Sequence, residues 1–221
     1  MWETLDRIDS PEDFIYDPSL VLYAPLHKKD GSSFMSDDAY GHLCTVTGAL
    51  WTPRGRDFDG DDDIDLGDPA SLNFGTGNFT VEAIVKVPPT AAQRLIVDKY
   101  IGIGWQLHVT SLGKAYWWTR DATHTTNNTC SSVSAIDDNI FHHLVGVRDG
   151  NNILLYVDAG TPVTNTPGDT NVTAAVDCTI GATRIPDTWL IGTIGEVRIY
   201  SRALIPLEIQ RNYLATKWRY K

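Results

Sequence analysis

Glutamate is scarce in this sequence: Glu3, Glu12, Glu82, Glu196 and Glu208 stand against 23 aspartates. A retaining glycoside hydrolase needs two carboxyl groups about 5–5.5 Å apart, which on a strand means acids at i and i+2 or i+4. Glu82 has Ile84 and Lys86 at those positions, so its strand carries no such pair. His142 and His143 suggest a metal or base pair, but adjacent strand residues point to opposite faces and cannot chelate one ion. His143 shares its face with Val145 and Val147 and reads as a hydrogen-bonded core residue. No Gly-x-Ser-x-Gly elbow occurs to support a serine nucleophile. Binding, not catalysis, is the chemistry these residues suggest.

Two groups of residues suit binding. Residues 57–68 hold Asp57, Asp59, Asp61, Asp62, Asp63, Asp65 and Asp68, a charge density that must be solvated or neutralised by a cation. An EF-hand is excluded: counting from Asp59, the position that requires Gly is Ile64 and the one that requires Glu is Ala70. A solvated turn and a Ca²⁺ role both remain open. The second group is aromatic. Trp105, Tyr116, Trp117, Trp118 and Trp189, with Arg120 and His124 nearby, could present flat faces to sugar C–H groups and polar groups to sugar hydroxyls. Trp117 and Trp118 are neighbours, so only one of them faces the core.

The elements that must carry these residues are mostly strands. Short apolar segments separated by turn residues recur from Leu20 onward, and the clearest, Phe79 to Val87, is apolar at every odd position until Pro88-Pro89. Similar segments run over Leu20 to Ala24, Leu43 to Thr47, Leu95 to Lys99, Trp105 to Val109, Ala115 to Thr119, His142 to Arg148, Ile153 to Asp158 and Ile191 to Tyr200. Asp149-Gly150-Asn151-Asn152 should close a hairpin between Leu144–Arg148 and Ile153–Val157, and Asp121 to Asn128 reads as a rim loop. From Pro206 the period changes: Ile205, Ile209, Tyr213, Leu214 and Trp218 fall at helical spacing and predict a short amphipathic helix. The expected layout is an N-terminal arm over 1–18, a β-sandwich over 19–204 and a C-terminal helix over 205–221 packed on it.

Composition limits the partners. The 221 residues carry a net charge of −10, which disfavours nucleic-acid phosphate and anionic lipid. No apolar run reaches the roughly 20 residues of a membrane span. Three dispersed cysteines permit at most one disulfide and form no zinc pattern. The first residues lack the basic and apolar regions of a secretory signal, so export by that route is not expected.

The order Phe58-Asp59-Gly60, Ile64-Asp65-Leu66, Phe79 to Val87, Phe141 to Gly150, Leu155-Tyr156-Val157-Asp158, Thr179-Ile180-Gly181 and Gly192 to Leu204 closely resembles the laminin-G-like concanavalin A superfamily over roughly residues 20–214. The resemblance implies an all-β, two-sheet antiparallel jelly-roll with binding on a concave face or a rim of loops. It also implies an accessory module attached to enzymes, adhesins or viral structural proteins, with an extracellular or virion surface as its setting. Relatives often hold one structural Ca²⁺ near the early turn around Asp38 and the penultimate strand around Glu196. Here the Asp that often precedes that Glu is replaced by Gly195, and the Glu-x-Asp-x-x-Glu strand of the related hydrolases is absent.

The expected function is a non-catalytic module recognising a carbohydrate or protein surface through Trp105, Trp117, Trp118, Arg120, His124 and Trp189. Asp38, Asp59, Asp61, Asp63 and Glu196 are the expected ligands of a structural Ca²⁺. The alternative is a structural component of a larger assembly, such as a virion surface or fibre protein, in which residues 1–18 with Trp2 and Leu5 drive oligomerisation. A polysaccharide-active enzyme is a third reading.

Overall fold

The computed structural model describes residues 17–122, 128–168, 171–183 and 188–221. The expected sandwich is present. In chain order its first strands are β1 (Leu20–Ala24), β2 (Ser33–Met35), β3 (Leu43–Thr47), β4 (Leu50–Thr52), β5 (Gly55–Asp59), β6 (Asp63–Asp65), β7 (Phe79–Lys86) and β8 (Arg94–Tyr100). They continue as β9 (Gly104–Val109), β10 (Lys114–Arg120), β11 (Thr129–Ala135), β12 (Phe141–Asp149), β13 (Asn152–Val157), β14 (Val163–Asn165), β15 (Thr179–Ile180) and β16 (Ile191–Tyr200), before helix α1 (Pro206–Thr216). The first sheet has the order β14-β13-β12-β7-β16-β5-β4, with β1 also paired to β16, and the second β11-β10-β9-β8-β15-β6-β3-β2. The expected hairpin forms, with Leu144 opposite Val157 and Arg148 opposite Ile153.

Alternation along each strand decides what lies between the sheets. Val81, Ala83 and Val85 of β7, Leu144 of β12 and Val197 and Ile199 of β16 meet Trp105, Leu107, Val109 and Trp117 of the second sheet. Phe79 lies 5.8 Å from the Trp105 ring and 5.6 Å from that of Trp117. Gly146 is what lets Trp117 reach this depth: a Cβ there would come 2.3 Å from the indole. The Trp117 Nε1–H donates to the Val147 carbonyl at 3.2 Å, which satisfies its one buried donor. All three cysteines are buried free thiols.

The outer face of the first sheet carries a second apolar layer, and α1 covers it. Val145, Val147, Tyr156 and Tyr200 pack there with Leu20, Tyr23, Leu204 and Ile209. Glu208 accepts the Ile205 backbone N–H at 2.9 Å, capping the helix start. The predicted apolar stripe of α1 is buried only in part: Ile209 is buried, together with Asn212 and Thr216, and Tyr213 is half-buried, while Ile205, Leu214 and Trp218 are exposed. The reason is charge under the helix, where Asn212 Nδ2 donates to both Glu82 oxygens at 3.1 Å. Among the described residues no helix is long and apolar enough to cross a membrane.

Candidate functional site

Helix α1 occupies the outer face of the first sheet; on the outer face of the second, half-buried side chains of β10 lie beside polar and aromatic side chains of β8 and β9 that are themselves buried. In β10, Ala115, Trp117 and Thr119 are buried while Lys114, Tyr116, Trp118 and Arg120 are half-buried on the other side. Register sets their neighbours: Tyr116 lies opposite His108, Trp118 opposite Gln106 and Arg120 opposite Gly104. On β8, Leu95, Asp98 and Tyr100 stand in turn opposite His108, Gln106 and Gly104.

The result is an aromatic ledge above a polar floor. The Tyr100 and Trp118 rings are 4.8 Å apart, and Arg120 stacks over Trp118 at 5.5 Å while donating to the Tyr100 hydroxyl at 2.9 Å. Tyr116 and His108 form a second ring pair at 4.8 Å. These pairs sit two residues apart along β10, about 7 Å, close to the width of one sugar ring. Gln106 Nε2 donates to Asp98 Oδ1 at 2.6 Å. Gln106 and His108 are each 4% exposed, and Gln106 Oε1 and His108 Nδ1 have no hydrogen-bond partner among the described residues. Burial pushes the His108 pKa down to about 4, so the ring is neutral at pH 7 and offers a donor and an acceptor. Buried polar atoms of this kind cost free energy unless a partner is supplied, which a hydroxylated ligand would do.

Of the expected ligand residues, Trp118 and Arg120 lie at the centre of this face. Trp105 and Trp117 do not: they are 1% and 0% exposed in the inter-sheet core, because period-2 alternation turns them inward. Trp189 is half-buried beyond the end of β15, bridged to Ala182, and its carbonyl accepts from Arg94 at 3.4 Å. His124 falls outside the described residues. Tyr100, Gln106 and His108 were missed, although Trp105-Gln106-Leu107-His108-Val109 alternates apolar and polar and places both polar residues on one face.

The expected metal set is split. Asp59, Asp61 and Asp62 bring ligand oxygens within 4.8 Å of one another at the β5–β6 turn, with Asp62 taking the place expected for Asp63. A hydrogen bond with Asp59 and that residue's charge push the Asp61 carboxyl up, as crowding of like charges does. Three carboxylates at one turn are the hard-oxygen donors Ca²⁺ takes. Asp38 is engaged otherwise: it accepts backbone N–H groups of Tyr23, Tyr40 and Gly41 at 2.9, 2.9 and 3.1 Å, so its role is to shape the turn. Glu196 bonds Arg198 and lies 3.6 Å from Arg219 and 3.7 Å from His27. Cationic and histidine nitrogens surround it where relatives are expected to hold a metal. Gly195 has a packing reason, since a Cβ would come 2.3 Å from the Tyr220 ring.

The two histidines separate as alternation requires. His142 engages Asp158 at 2.8 Å and Asp138 at 3.2 Å, and hydrogen bonding to Asp158 holds its pKa up. His143 lies beneath α1, 2% exposed, with Nε2 3.6 Å from Glu82 Oε1.

A family model described as the concanavalin A-like lectin/glucanases superfamily matches residues 58–210. No curated protein matches the chain. Among solved structures, the binding domain of Paraclostridial Mosquitocidal Protein 1 superposes with TM-score 0.74 at 14% identity, over 88% of this chain and 52% of that one. The botulinum neurotoxin serotype D ligand-binding domain, in complex with N-acetylneuraminic acid, gives 0.72 at 14% identity, over 89% and 50%. Trypanosoma rangeli sialidase in complex with sialic acid gives 0.71 at 19% identity, over 93% and 34%. The chain thus spans about half the length of the two binding domains and a third of the sialidase.

Proposed function

The chain belongs to the concanavalin A-like lectin/glucanases superfamily, and from that premise we propose that it is a non-catalytic carbohydrate-binding module whose ligand lies on the outer face of β8, β9 and β10. One observation carries the reading: half-buried Trp118 and Tyr116, with buried Tyr100 packed against Trp118, stand beside buried Gln106 and His108, whose Oε1 and Nδ1 have no hydrogen-bond partner among the described residues. A sugar ring laid on Trp118 covers apolar area while its hydroxyls meet the half-buried polar groups of Tyr116 and Arg120 beside it. The botulinum domain and the sialidase, each solved with a sialic acid, make sialylated glycans the first class to try. Such a reader acts where glycans are displayed, at an extracellular or virion surface.

The acids of this face support a binding role. Asp65 and Asp98 both pair with Thr179, one on each side, which sets their strands roughly 10 Å apart. That backbone spacing does not suit the roughly 5–5.5 Å of a retaining pair, and an inverting pair, with carboxyls about 6.5–9.5 Å apart, would need Asp98 to meet the substrate, although it is fully buried. The test is a panel of sialylated, neutral and uronate-containing glycans, read for binding and for released reducing ends. Binding without turnover is expected; a panel with no binder would overturn the reading, and turnover would replace it with an enzymatic one.

Asp59, Asp61 and Asp62 are the residues we propose for a structural Ca²⁺. Ca²⁺ at about 100 times its Kd would raise the melting temperature by roughly 5–10 °C over EDTA. Asp59→Asn should abolish the rise. An unchanged wild-type midpoint would identify the cluster as a solvated turn.

A further inference from the structure

The outward side of α1 is apolar although the helix already has a buried side. Leu207 and Leu214 are 69% and 49% exposed and, with Arg211 and Ala215, line a groove of about 470 Å³, beyond which Trp218 is 61% exposed. Leu207, Arg211 and Leu214 follow a spacing of four and three along one face of α1, and Trp218 follows four residues later in the turn after it. An apolar strip of this kind on a soluble domain marks a contact surface.

We propose that this groove is the docking site of the chain's own N-terminal segment, residues 1–16. The described residues begin beside the first turn of α1. The Asp17 carboxylate accepts from Arg202 at 2.7 Å, and the same Arg202 binds Glu208 in the first turn of α1. Residues 1–16 therefore join the fold at the end of the groove. Helix α1 is about 16 Å long, whereas sixteen residues reach roughly 50 Å when extended, so the segment can run the whole groove. Tethering at that point gives an effective concentration of order millimolar, which favours the chain's own groove over that of a second copy.

The segment and the groove are also complementary in composition. Residues 1–16 hold the apolar side chains Trp2, Leu5, Ile8, Phe14 and Ile15. They also hold Glu3, Asp6, Asp9, Glu12 and Asp13 against Arg7 alone. Residues 205–221 have the opposite balance, with Arg211, Lys217, Arg219 and Lys221 against Glu208. Opposite charge on both members, beside apolar residues on both, selects register as well as affinity.

Trypsin cleavage after Arg7 in the full chain, followed by mass, tests the docking against the same bond in a free peptide of residues 1–16. Cleavage in the full chain is expected to be at least about 10-fold slower, because proteolysis follows the population of the undocked form. Leu214→Asp, at an exposed position, and Arg211→Glu should each restore cleavage toward the peptide rate without moving the melting temperature of the sandwich. Equal rates in the full chain and the peptide would overturn the proposal. So would protection found only at concentrations where sedimentation gives a dimer, which would assign the groove to a second copy's arm.

Discussion

Replacing Glu82 by alanine is expected to lower the unfolding free energy by about 3–5 kcal/mol at pH 7, because it removes one of the two carboxylates that neutralise a buried arginine and strands the buried amide donor that the carboxylate accepts from. Glu82 is 1% exposed beneath α1. Arg198 Nη1 lies 3.4 Å from it, His143 3.6 Å away, and the Asn212 amide bonds both carboxylate oxygens. Arg198 is also bonded to Glu196 and stacks on Tyr23 at 5.2 Å, so the disturbance spreads along the helix-facing side of β16. Burial alone would push the Glu82 carboxyl up, but His143, Arg198 and Asn212 outweigh it and hold the pKa below the ordinary value. A carboxyl depressed in the folded state stabilises above its unfolded pKa of about 4.3, and that stability is lost as pH falls through the folded value. Urea unfolding at pH 7 and in acid should therefore show the cost of Glu82→Ala shrinking below about pH 4. A pH 7 cost under about 1 kcal/mol would mean that the pair is solvated and α1 is held by packing alone.

Trp118→Ala is expected to weaken glycan binding about 30-fold, or ~2 kcal/mol, the usual cost of removing a central aromatic anchor. The change also removes the platform under Arg120 and the partner of Tyr100, so some stability goes with it. An aromatic pair is worth about 0.5–1.5 kcal/mol, which limits the fall in melting temperature to roughly 2–6 °C. Calorimetric titration with the best glycan of the panel, alongside thermal melts, separates the two effects. Affinity within about twofold of wild type would place the ligand elsewhere.

Strands with apolar residues on alternate positions were legible in the sequence, since burial of one face writes itself as period two. The nine segments from Leu20–Ala24 to Ile191–Tyr200 all became strands. β5, β6 and β11 were not legible, because Gly55-Arg56-Asp57-Phe58-Asp59, Asp63-Ile64-Asp65 and Thr129 to Ala135 are polar or acidic runs. Their pairing with already formed strands decides their conformation. The site was half legible: alternation predicts that one of Trp117 and Trp118 turns outward, but only the register across β8, β9 and β10 brings Tyr100, Gln106 and His108 beside Trp118. Apolar spacing in α1 misled for a related reason. A helix laid over Glu82 buries Asn212 and Thr216, and its Leu207 and Leu214 then face outward.

The most direct test of the binding face is the set of tryptophan indole N–H resonances, assigned by single substitution and followed while N-acetylneuraminic acid and the other panel glycans are added. The indole of Trp118 should shift with a binding glycan, while those of Trp105 and Trp117, sealed between the sheets, hold still. A panel that moves no indole, or moves only the exposed Trp51 or Trp218, would contradict the assignment of the outer face of β8, β9 and β10 as the carbohydrate site.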